Sequence, residues 1–475
     1  MNILLINPPA VDGVKQVREG RCQQRAGAWT AIWPPISLAT TASVLRDNGF
    51  KVKINDCIVE ELNFEDIQRI IEDFKPGLVI LNVATPSIVS DLGTARYIKK
   101  VCRDVKIATI GIHCSALPKE CLNFEQDIDF IVRGEPEYTV RDLAFLISNK
   151  NEIFLREVKG ISYWDGGIVI NNEDREVIEN LDELSFPAWD LIDRGKYILP
   201  FSLRKFLLIA TSRGCPHSCI FCAENTYYSR KYRKRSPERI ADELEWVKNT
   251  FGIYDFLFWS ESFTLDQNFA RLVAEEIINR KIKVNWVCNS RVDNVDFNLL
   301  KIFKKAGCWM IGYGVESGSQ KVLDLMGKKI KLSQIKEAVE LSKKAGLKVT
   351  AHCILGFPGE TMETMGETVN FVKKLDIDFV QFYCAVPFPG SHLYNLKDSG
   401  LYEFTFSDWK FFEQNFCVMN TKFLSAEQVM SFRRRAYKEF YLRPKIILNV
   451  LREIRSFKGL INFIGAIKEF MNWIE

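Results

Sequence analysis

Short apolar runs alternate with amphipathic stretches along the first part of the chain, up to about residue 148. Five runs have the length and composition of buried strands: NILLIN, KVKIND, GLVILNVAT, KIATIGIH and DFIVRG. The stretches between them have helical periodicity, and one of them, ISLATTASVLRDNG, ends at Gly49, a residue type typical of helix C-termini. Strands that alternate with helices predict an α/β fold with a doubly wound parallel sheet over residues 1–148.

This pattern stops over residues 149–204. The run GISYWDGGIVINNE predicts a β-hairpin that turns at Asp165-Gly166-Gly167. An acidic, proline-containing stretch, LDELSFPAWDLID, follows it. We interpret residues 149–204 as a linker with a hairpin.

A second alternation covers residues 205–392. Its predicted strands are KFLLIAT, DFLFWSE, VNWVCNS, CWMIGYG, KVTAHCILG and FVQFYCA, and helical stretches separate them. The first helix has Ser236 as a natural N-cap and Pro237 at its first helical position. Six strand–helix units predict a partial (β/α)6 barrel, and its chemistry is expected at the carboxyl ends of the strands.

The tail, residues 393–475, is predicted to be helical. It is basic in places and rich in Ile, Leu and Phe, and we expect it to pack across the barrel mouth. Lys and Arg combined with Phe and Trp are also typical of an amphipathic helix on a membrane surface. Peripheral membrane contact and a lipid substrate are therefore alternatives for this segment.

Composition restricts the class of protein. The chain has 475 residues, of which 47% are hydrophobic and 26% charged, which indicates a globular protein of two or three domains. A net charge of +4 gives no reason to expect a nucleic acid partner. The basic run RKYRKRS at residues 230–236 is interpreted as a solvated face, with phosphate binding as the alternative.

The amino terminus and the cysteines indicate the compartment. MNILLINPPAVDG lacks the basic region and cleavage site of a signal peptide, and no apolar run reaches 18 residues. Thirteen cysteines, an odd number, fit reduced thiols and metal ligation better than a disulfide framework. We therefore expect a cytoplasmic protein.

The loop TSRGCPHSCIFC, residues 211–222, carries three of these cysteines at the end of the first barrel strand: Cys215, Cys219 and Cys222. Soft thiolates suit zinc or an iron–sulfur cluster. A structural zinc site would need a fourth ligand, and His217 is poorly placed to supply it. Three thiols on a four-iron cluster would leave one iron open to a substrate or cofactor.

CPHSCIFC has the CxxxCxxC spacing and resembles the signature of the radical S-adenosylmethionine (SAM) enzymes, with the aromatic Phe221 before the last cysteine. The resemblance implies a 4Fe-4S cluster held by Cys215, Cys219 and Cys222. It also implies that SAM chelates the open iron and that one electron, from a donor such as ferredoxin or flavodoxin, cleaves it to methionine and a deoxyadenosyl radical.

The ends of the next barrel strands match the family's SAM-binding positions. The resemblance assigns SAM contacts to Phe221 and to pairs that end the second, third and fourth strands: Ser260 and Glu261, Ser290 and Arg291, Glu316 and Ser317. Arg291 would hold the methionine carboxylate. The alternatives are that Arg291 pairs with Asp293 and that Glu316 caps the following turn.

The strand-end loops of the first sheet are NPPAVDG, ATPSIVS, GIHCSALP and RGEPEYT, and no GxGxxG follows the first strand. Such a sheet joined to this core resembles the subfamily with an N-terminal Rossmann-like cobalamin-binding domain. The implied cobalamin contacts are Pro8, Thr85, Pro86, Ser87, Gly111, His113, Ser115, Gly134 and Glu135. His113 is not expected to ligate cobalt, because its surroundings lack the DxHxxG form.

The resemblance implies a methyltransferase that moves a methyl group from methylcobalamin to an unactivated carbon. A cyclase, a rearrangement or an oxidation with the same cofactors is the alternative enzyme. A methylthiotransferase would carry three further cluster cysteines in its front domain. A non-enzymatic cobalamin sensor is a different class and would not need an open-iron cluster. The substrate, whether small molecule, lipid or peptide, is not encoded in any motif.

Replacing Cys215, Cys219 or Cys222 by Ala should abolish the broad visible iron–sulfur absorption and all turnover, because three thiolates must hold the cluster. The measurement is the visible spectrum and iron content of the anaerobically reconstituted protein. Full cluster content in the triple replacement would contradict the assignment.

Overall fold

The computed structural model describes residues 1–10, 13–20, 24–25, 31–199, 202–451 and 465. The strands of the first part are β1 (Asn2–Asn7), β2 (Gln16–Val17), β3 (Gln24–Arg25), β4 (Lys51–Asp56), β5 (Leu78–Asn82), β6 (Lys106–Ile110), β7 (Phe130–Val132), β8 (Ile161–Asp165) and β9 (Ile168–Asn171). The helices are α1 (Ile36–Asp47), α2 (Cys57–Glu60), α3 (Phe64–Phe74), α4 (Ile88–Val101), α5 (Ile112–Ala116), α6 (Pro118–Phe124) and α7 (Pro136–Ser148).

The first sheet has seven strands in the order β4-β1-β5-β6-β7-β8-β9, and the first five of these run parallel. The predicted doubly wound sheet is confirmed. The hairpin of β8 and β9 turns at Gly166 and Gly167, both with positive φ, as a tight hairpin turn requires. It pairs antiparallel with β7. Part of the segment interpreted as a linker therefore extends this sheet, and the predicted domain limits stay a prediction.

The rest of residues 149–204 connects the first sheet to the barrel. Trp189 is fully buried. The Tyr197 hydroxyl donates to Asp56 at the end of β4 (2.8 Å), and the Tyr197 carbonyl accepts from Phe206, where the barrel begins (3.1 Å). One hydrophobic core, which includes Leu5 of β1 and Leu208 of the first barrel strand, continues through both parts.

The barrel strands are β10 (Phe206–Ala210), β13 (Asp255–Trp259), β14 (Asn285–Ser290), β15 (Cys308–Glu316), β16 (Lys348–Leu355) and β17 (Phe379–Cys384), with β11 (Ser212–Arg213) and β12 (Arg233–Lys234) as a small ribbon beside them. The helices are α8 (Asn225–Tyr228), α9 (Pro237–Phe251), α10 (Gln267–Asn279), α11 (Phe297–Lys305), α12 (Gln320–Leu325), α13 (Leu332–Lys344), α14 (Met362–Lys374) and α15 (His392–Asn395).

The six barrel strands pair in parallel and in chain order, β10-β13-β14-β15-β16-β17. This confirms the predicted partial (β/α)6 barrel. The local signals in the sequence act as expected at α9: the Ser236 side chain accepts from the Arg239 amide, Pro237 starts the helix, and Gly252 ends it in a left-handed conformation.

The tail is not helical throughout, as it is predicted to be. It contains a ribbon of β18 (Tyr402–Phe404) and β19 (Met419–Thr421) before the helices α16 (Ala426–Tyr441) and α17 (Pro444–Leu451). Tyr402 and Met419 of the ribbon pack with Ile220 and Phe221 of the cysteine loop, at the barrel mouth. Helix α16 covers the free edge of β17: the Tyr437 hydroxyl accepts from the Phe382 amide (3.1 Å), and the Arg433 Nε donates to the Phe382 carbonyl (2.6 Å). These bonds satisfy an edge that would otherwise be open to other chains.

The predicted membrane-surface pattern of the tail falls largely on residues 452–475, which lie outside the described residues apart from residue 465. Within the described part of the chain, no helix has the length and apolarity that crossing a bilayer requires.

Arg433→Ala should lower the free energy of unfolding by about 2–4 kcal/mol, since the buried guanidinium also donates to Asn415 and its loss leaves buried carbonyls unpaired. The measurement is urea denaturation. The matched control is Arg435→Ala on the same helix, whose exposed side chain pairs with Glu439 and lies over the Phe432 ring; it should change the value by about 1 kcal/mol or less. Equal losses in the two variants would contradict this role for Arg433.

Candidate active site

The three motif cysteines lie on the loop that follows β10 and β11, at the carboxyl end of the barrel. All three are partly exposed, and none forms a disulfide with a described cysteine. The Cys222 amide donates to the Cys219 carbonyl (3.1 Å), and the Cys215 amide donates to the Ser229 carbonyl (3.3 Å). These backbone hydrogen bonds fold the loop back on itself at the barrel rim.

Two neighbouring elements hold this loop in place through the backbone of Ile220. Its amide donates to the carbonyl of Met326 after α12 (3.0 Å), and its carbonyl accepts from the amide of Leu393 in α15 (2.9 Å). The position of the thiols therefore depends on the fourth strand–helix unit and on the end of the barrel.

The chemistry of the donor set fits an iron–sulfur cluster better than a single metal ion. Among the residues that the structure describes, no three His, Cys, Asp or Glu side chains converge closely enough to hold one ion. A cubane cluster places its iron atoms between the thiols, so its ligands stand farther apart than those of one ion. Three accessible thiols without a fourth protein ligand fit a cluster with one open iron.

Two polar side chains predicted to contact SAM are well placed to bind a ligand. The hydroxyl oxygens of Ser260, after β13, and Ser290, at the end of β14, are buried and have no hydrogen-bond partner in the described part of the chain. Buried polar atoms normally have partners. These two fit a polar cofactor at the rim. Glu261, beside Ser260, is half-buried.

Arg291 makes a bidentate ion pair with Asp293 (3.0 and 2.9 Å) and donates to the Lys328 carbonyl (3.0 Å). Burial alone would raise the pKa of Asp293, but the hydrogen bonds and charge of Arg291 hold it below its ordinary value. The role of Arg291 toward the SAM carboxylate stays a prediction, and a carboxylate reaching it would have to share the guanidinium with Asp293.

The fourth strand end carries a buried charge pair. Glu316 has a positive φ of 61° and accepts from the Lys328 ammonium (2.6 Å), which lies 6.0 Å from the Phe221 ring centroid. This pair connects strand β15 to the cysteine loop. Ser317 is fully buried and contacts the Thr368 hydroxyl of α14 (3.0 Å), so its side chain faces a helix. That contact does not favour the predicted role of Ser317 at SAM.

The predicted cobalamin contacts lie together at the carboxyl edge of the first sheet. Pro8 follows β1; Thr85, Pro86 and Ser87 form a 3-10 turn after β5; Gly111, His113 and Ser115 follow β6; Gly134 follows β7. Two contacts connect these loops: His113 Nδ1 lies 3.3 Å from the Thr85 hydroxyl, and the Ser115 hydroxyl accepts from the Gly134 amide (3.1 Å).

His113 is enclosed. Its ring meets Trp409 edge to face, with centroids 4.8 Å apart, beside a cavity of about 160 Å³ between α4 and α6. Burial lowers the pKa of His113 to about 3, so the imidazole is neutral. No motif in the sequence indicates Trp409 as a neighbour of His113, because it comes from the tail 296 positions away.

The loop after β1 covers the point where the strand order reverses, between β1 and β5, which is the usual ligand site of such sheets. Glu19 accepts from Ser37 (2.8 Å) and Asn82 (3.3 Å), and burial raises its pKa to about 7. Arg18 pairs with Asp91 (2.5 Å), while its Nη1 is buried without a hydrogen-bond partner among the described residues. This unpaired donor fits a ligand rich in amide oxygens, as cobalamin is.

Glu135 pairs with Arg233 of the barrel ribbon (2.6 Å), and its predicted contact with cobalamin stays a prediction. Glu137 pairs with Arg213, two residues before Cys215 (2.5 Å), and all four side chains are buried. The interpretation of residues 230–236 as a solvated face is therefore wrong for Arg233. It is also wrong for Arg235, which is buried and pairs with Glu243 (2.5 Å).

Comparison with known proteins agrees with this arrangement. The sequence models of the radical SAM superfamily and of the B12 binding domain match residues 209–372 and 26–144. An uncharacterized methyltransferase of Pyrococcus horikoshii is 33% identical over 460 residues, which cover 96% of each chain. The chain belongs to the radical SAM enzymes that carry a B12-binding domain. The predicted family and its cofactor set, a 4Fe-4S cluster, SAM and cobalamin, are confirmed.

Two further similarities bear on this family. The anaerobic magnesium-protoporphyrin IX monomethyl ester cyclase of Cereibacter sphaeroides is 28% identical over 422 residues, 87% of this chain and 68% of the cyclase. The radical SAM methyltransferase TsrM of Kitasatospora setae, with cobalamin and a [4Fe-4S] cluster bound, superimposes with a TM-score of 0.69 at 17% identity, covering 87% of this chain and 82% of TsrM. The latter shows a shared fold.

We expect that His113 does not ligate cobalt, because its neutral ring is packed against Trp409 and Thr85. His113→Phe should therefore leave the electron paramagnetic resonance spectrum of bound cob(II)alamin unchanged. Any splitting from a nitrogen ligand, including the benzimidazole of cobalamin itself, should be the same in the wild type and in the variant. The control is His392→Phe, at an exposed position of α15. Nitrogen splitting that disappears only in His113→Phe would contradict this placement.

Proposed function

We propose that this chain is a cobalamin-dependent radical SAM methyltransferase acting on an unactivated carbon of a small molecule. The observation that carries the proposal is the 33% identity, over nearly the whole of both chains, to a protein named as a methyltransferase. The fold supports it, since the carboxyl edges of the B12-binding sheet and of the barrel are joined by ion pairs beside the cysteine loop.

Residues at the barrel edge would bind the cluster and SAM, and residues at the edge of the first sheet would bind cobalamin. Cys215, Cys219 and Cys222 would hold the cluster, and Ser260 and Ser290 would donate to SAM. The loops after β5 and β6 would hold cobalamin, with Arg18 donating to one of its amides. When bound, the cluster and SAM supply a hydrogen-abstracting radical, and cobalamin carries the methyl group.

The remaining contribution of the protein is position and exclusion of water. A reaction between two cofactors and a substrate is fast only if the protein holds all three close together and in the correct orientation. The pairs Arg213–Glu137 and Arg233–Glu135 set the distance between the edges. Trp33, from the loop after β1, packs edge to face on Trp259 of β13 with centroids 5.0 Å apart, which adds an aromatic contact between the two parts.

A cyclase with the same cofactors is the second candidate, because of the 28% identity to the protoporphyrin ester cyclase. A rearrangement or oxidation would use the same site. A sensor that only binds cobalamin would not need the three-thiol loop. The electron donor, such as ferredoxin or flavodoxin, is part of the proposal, and no nucleic acid partner is proposed.

The test uses the reconstituted holoenzyme under anaerobic, reducing conditions, with SAM deuterated in its methyl group and an extract of small metabolites. The proposal expects methionine, deoxyadenosine and S-adenosylhomocysteine together with one metabolite that gains a single labelled methyl group. Cys222→Ala should give neither the SAM-derived products nor the labelled metabolite. The control Cys102→Ala, directly after helix α4 in the B12-binding part, should match the wild type.

Turnover of SAM that yields deoxyadenosine without any labelled methyl transfer would favour the cyclase or rearrangement. The absence of SAM cleavage in a protein with full cluster and cobalamin content would contradict both enzyme candidates and leave the sensor.

A further inference from the structure

The lumen of the barrel is lined by side chains that belong to neither cofactor edge. In β14 to β17, successive side chains alternate between the helices and the lumen. The helix-facing set is identified by its contacts: Tyr313 bonds to Ser342 of α13 (2.8 Å), and Phe382 packs on Tyr437 of α16 (5.3 Å between centroids). The opposite set faces the lumen. It includes Asn289, Gly312, Gly314, Thr350, His352, Gln381 and Tyr383, together with the apolar Val287, Met310, Ile354 and Phe379.

Strand register places these lumen residues side by side. Asn289 is opposite Gly312, Gly314 is opposite His352, and His352 is opposite Gln381. Tyr383 follows two residues after Gln381, on the same face. Asn289, Gly312 and Thr350 lie at one level of the sheet, Gly314, His352 and Gln381 at the next, and Tyr383 at the one after. The four polar side chains Asn289, His352, Gln381 and Tyr383 therefore follow a diagonal path over three levels of the lumen wall, which we call the polar row.

Glycine is required where the row crosses β15. A Cβ on Gly312 would collide with the Asn289 amide oxygen and lie 3.0 Å from His352 Nε2. These two polar atoms, from strands on either side, meet above the glycine. Any side chain at position 312 would push them apart, so the sequence leaves this position without a side chain and keeps the two groups together.

The polar row is ordered and borders open space. His352 and Tyr383 stack with an interplanar angle of 9°, and His352 Nδ1 lies 3.4 Å from the Tyr383 hydroxyl. This contact directs Nε2 toward Asn289. Asn289 and Gln381 are half-buried, so their amides border the lumen rather than packed protein. Nearer the strand starts, the lumen is apolar and is lined by Leu257, Val287 and Trp309 among others.

The charged groups around the polar row neutralise each other. Lys328 is paired with Glu316 (2.6 Å) and Arg291 with Asp293 (2.9 Å). Both of these cations are thus already paired with a carboxylate, so neither offers an unpaired positive charge to a carboxylate or phosphate in the lumen. A hydrocarbon group in the lumen would displace water from the side-chain amides of Asn289 and Gln381 and offer them no hydrogen bond in return. The loss of these hydrogen bonds would make binding unfavourable.

We propose that the polar row is the substrate-recognition wall and that the substrate carries an uncharged polar group, a carbonyl, amide or hydroxyl, held by Asn289 and His352. This proposal rests on the proposed function for its reaction and adds the substrate class. It excludes a wholly hydrocarbon group and a free anion at this position.

The test measures the binding of three small probes of similar size to the holoenzyme with SAM present, by ligand-observed nuclear magnetic resonance. The probes are benzamide, toluene and benzoate. Benzamide should bind at least about tenfold more tightly than either of the others, because only benzamide supplies an uncharged hydrogen-bonding group. This ordering needs no variant and no turnover.

Asn289→Leu and His352→Phe should each reduce the preference for benzamide over toluene by about tenfold. Their iron content and bound cobalamin should equal those of the wild type, which shows that the barrel is folded. The matched control is Thr350→Val, on the same face, which keeps the methyl group that lies near Gly312; its preference should be unchanged.

Toluene or benzoate binding as tightly as benzamide in the wild type would overturn the proposal, as would an unchanged preference in both variants. Because no arm depends on methyl transfer, this failure would leave the proposed function intact. Conversely, an enzyme that never transfers a methyl group but keeps the benzamide preference would contradict the proposed function. The proposal that the polar row recognises the substrate would then still stand.

Discussion

Two buried ion pairs between the first sheet and the barrel are the constraint on which the candidate site depends. Glu135 and Glu137 stand directly after β7, and their partners Arg233 and Arg213 flank the cysteine loop. Removing one member of a buried pair leaves an uncompensated charge, which is strongly unfavourable. Any shift of the first sheet relative to the barrel would separate these buried pairs and raise the free energy of the folded protein. The cysteine loop therefore has one preferred position relative to the B12-binding edge.

Other segments of the chain also connect the first sheet with the barrel, beside these two ion pairs. The loop after β1 lies between the two edges, where Glu19 and Arg18 are buried in hydrogen bonds and an ion pair. Trp33 of the same loop reaches Trp259 in the barrel. From the other end of the chain, Trp409 packs on His113. Segments far apart in sequence thus enclose a space that neither part of the protein would enclose alone.

Local patterns were sufficient for the elements and for the cysteine loop. The apolar runs of the barrel predict its strands because each buries a full face, and Ser236, Pro237 and Gly252 mark a helix by local bonds that need no partner elsewhere. Long-range contacts were not predictable. Arg213 and Glu137 are 76 positions apart, and nothing near Arg233 indicates that its charge is buried. The pairing of Glu135 with Arg233 is equally long-range, and the sequence around Glu135 does not indicate it.

The most direct test of the central claim, that these ion pairs hold the two cofactor edges together, is pulsed electron paramagnetic resonance of the holoenzyme with the reduced cluster and cob(II)alamin. The wild type should give a single narrow distance distribution between the two centres. In the double variant Glu135→Gln, Glu137→Gln, with both cofactors still bound, the distribution should broaden. A broad distribution in the wild type, or an identical narrow one in the double variant, would show that these ion pairs do not hold the two edges together.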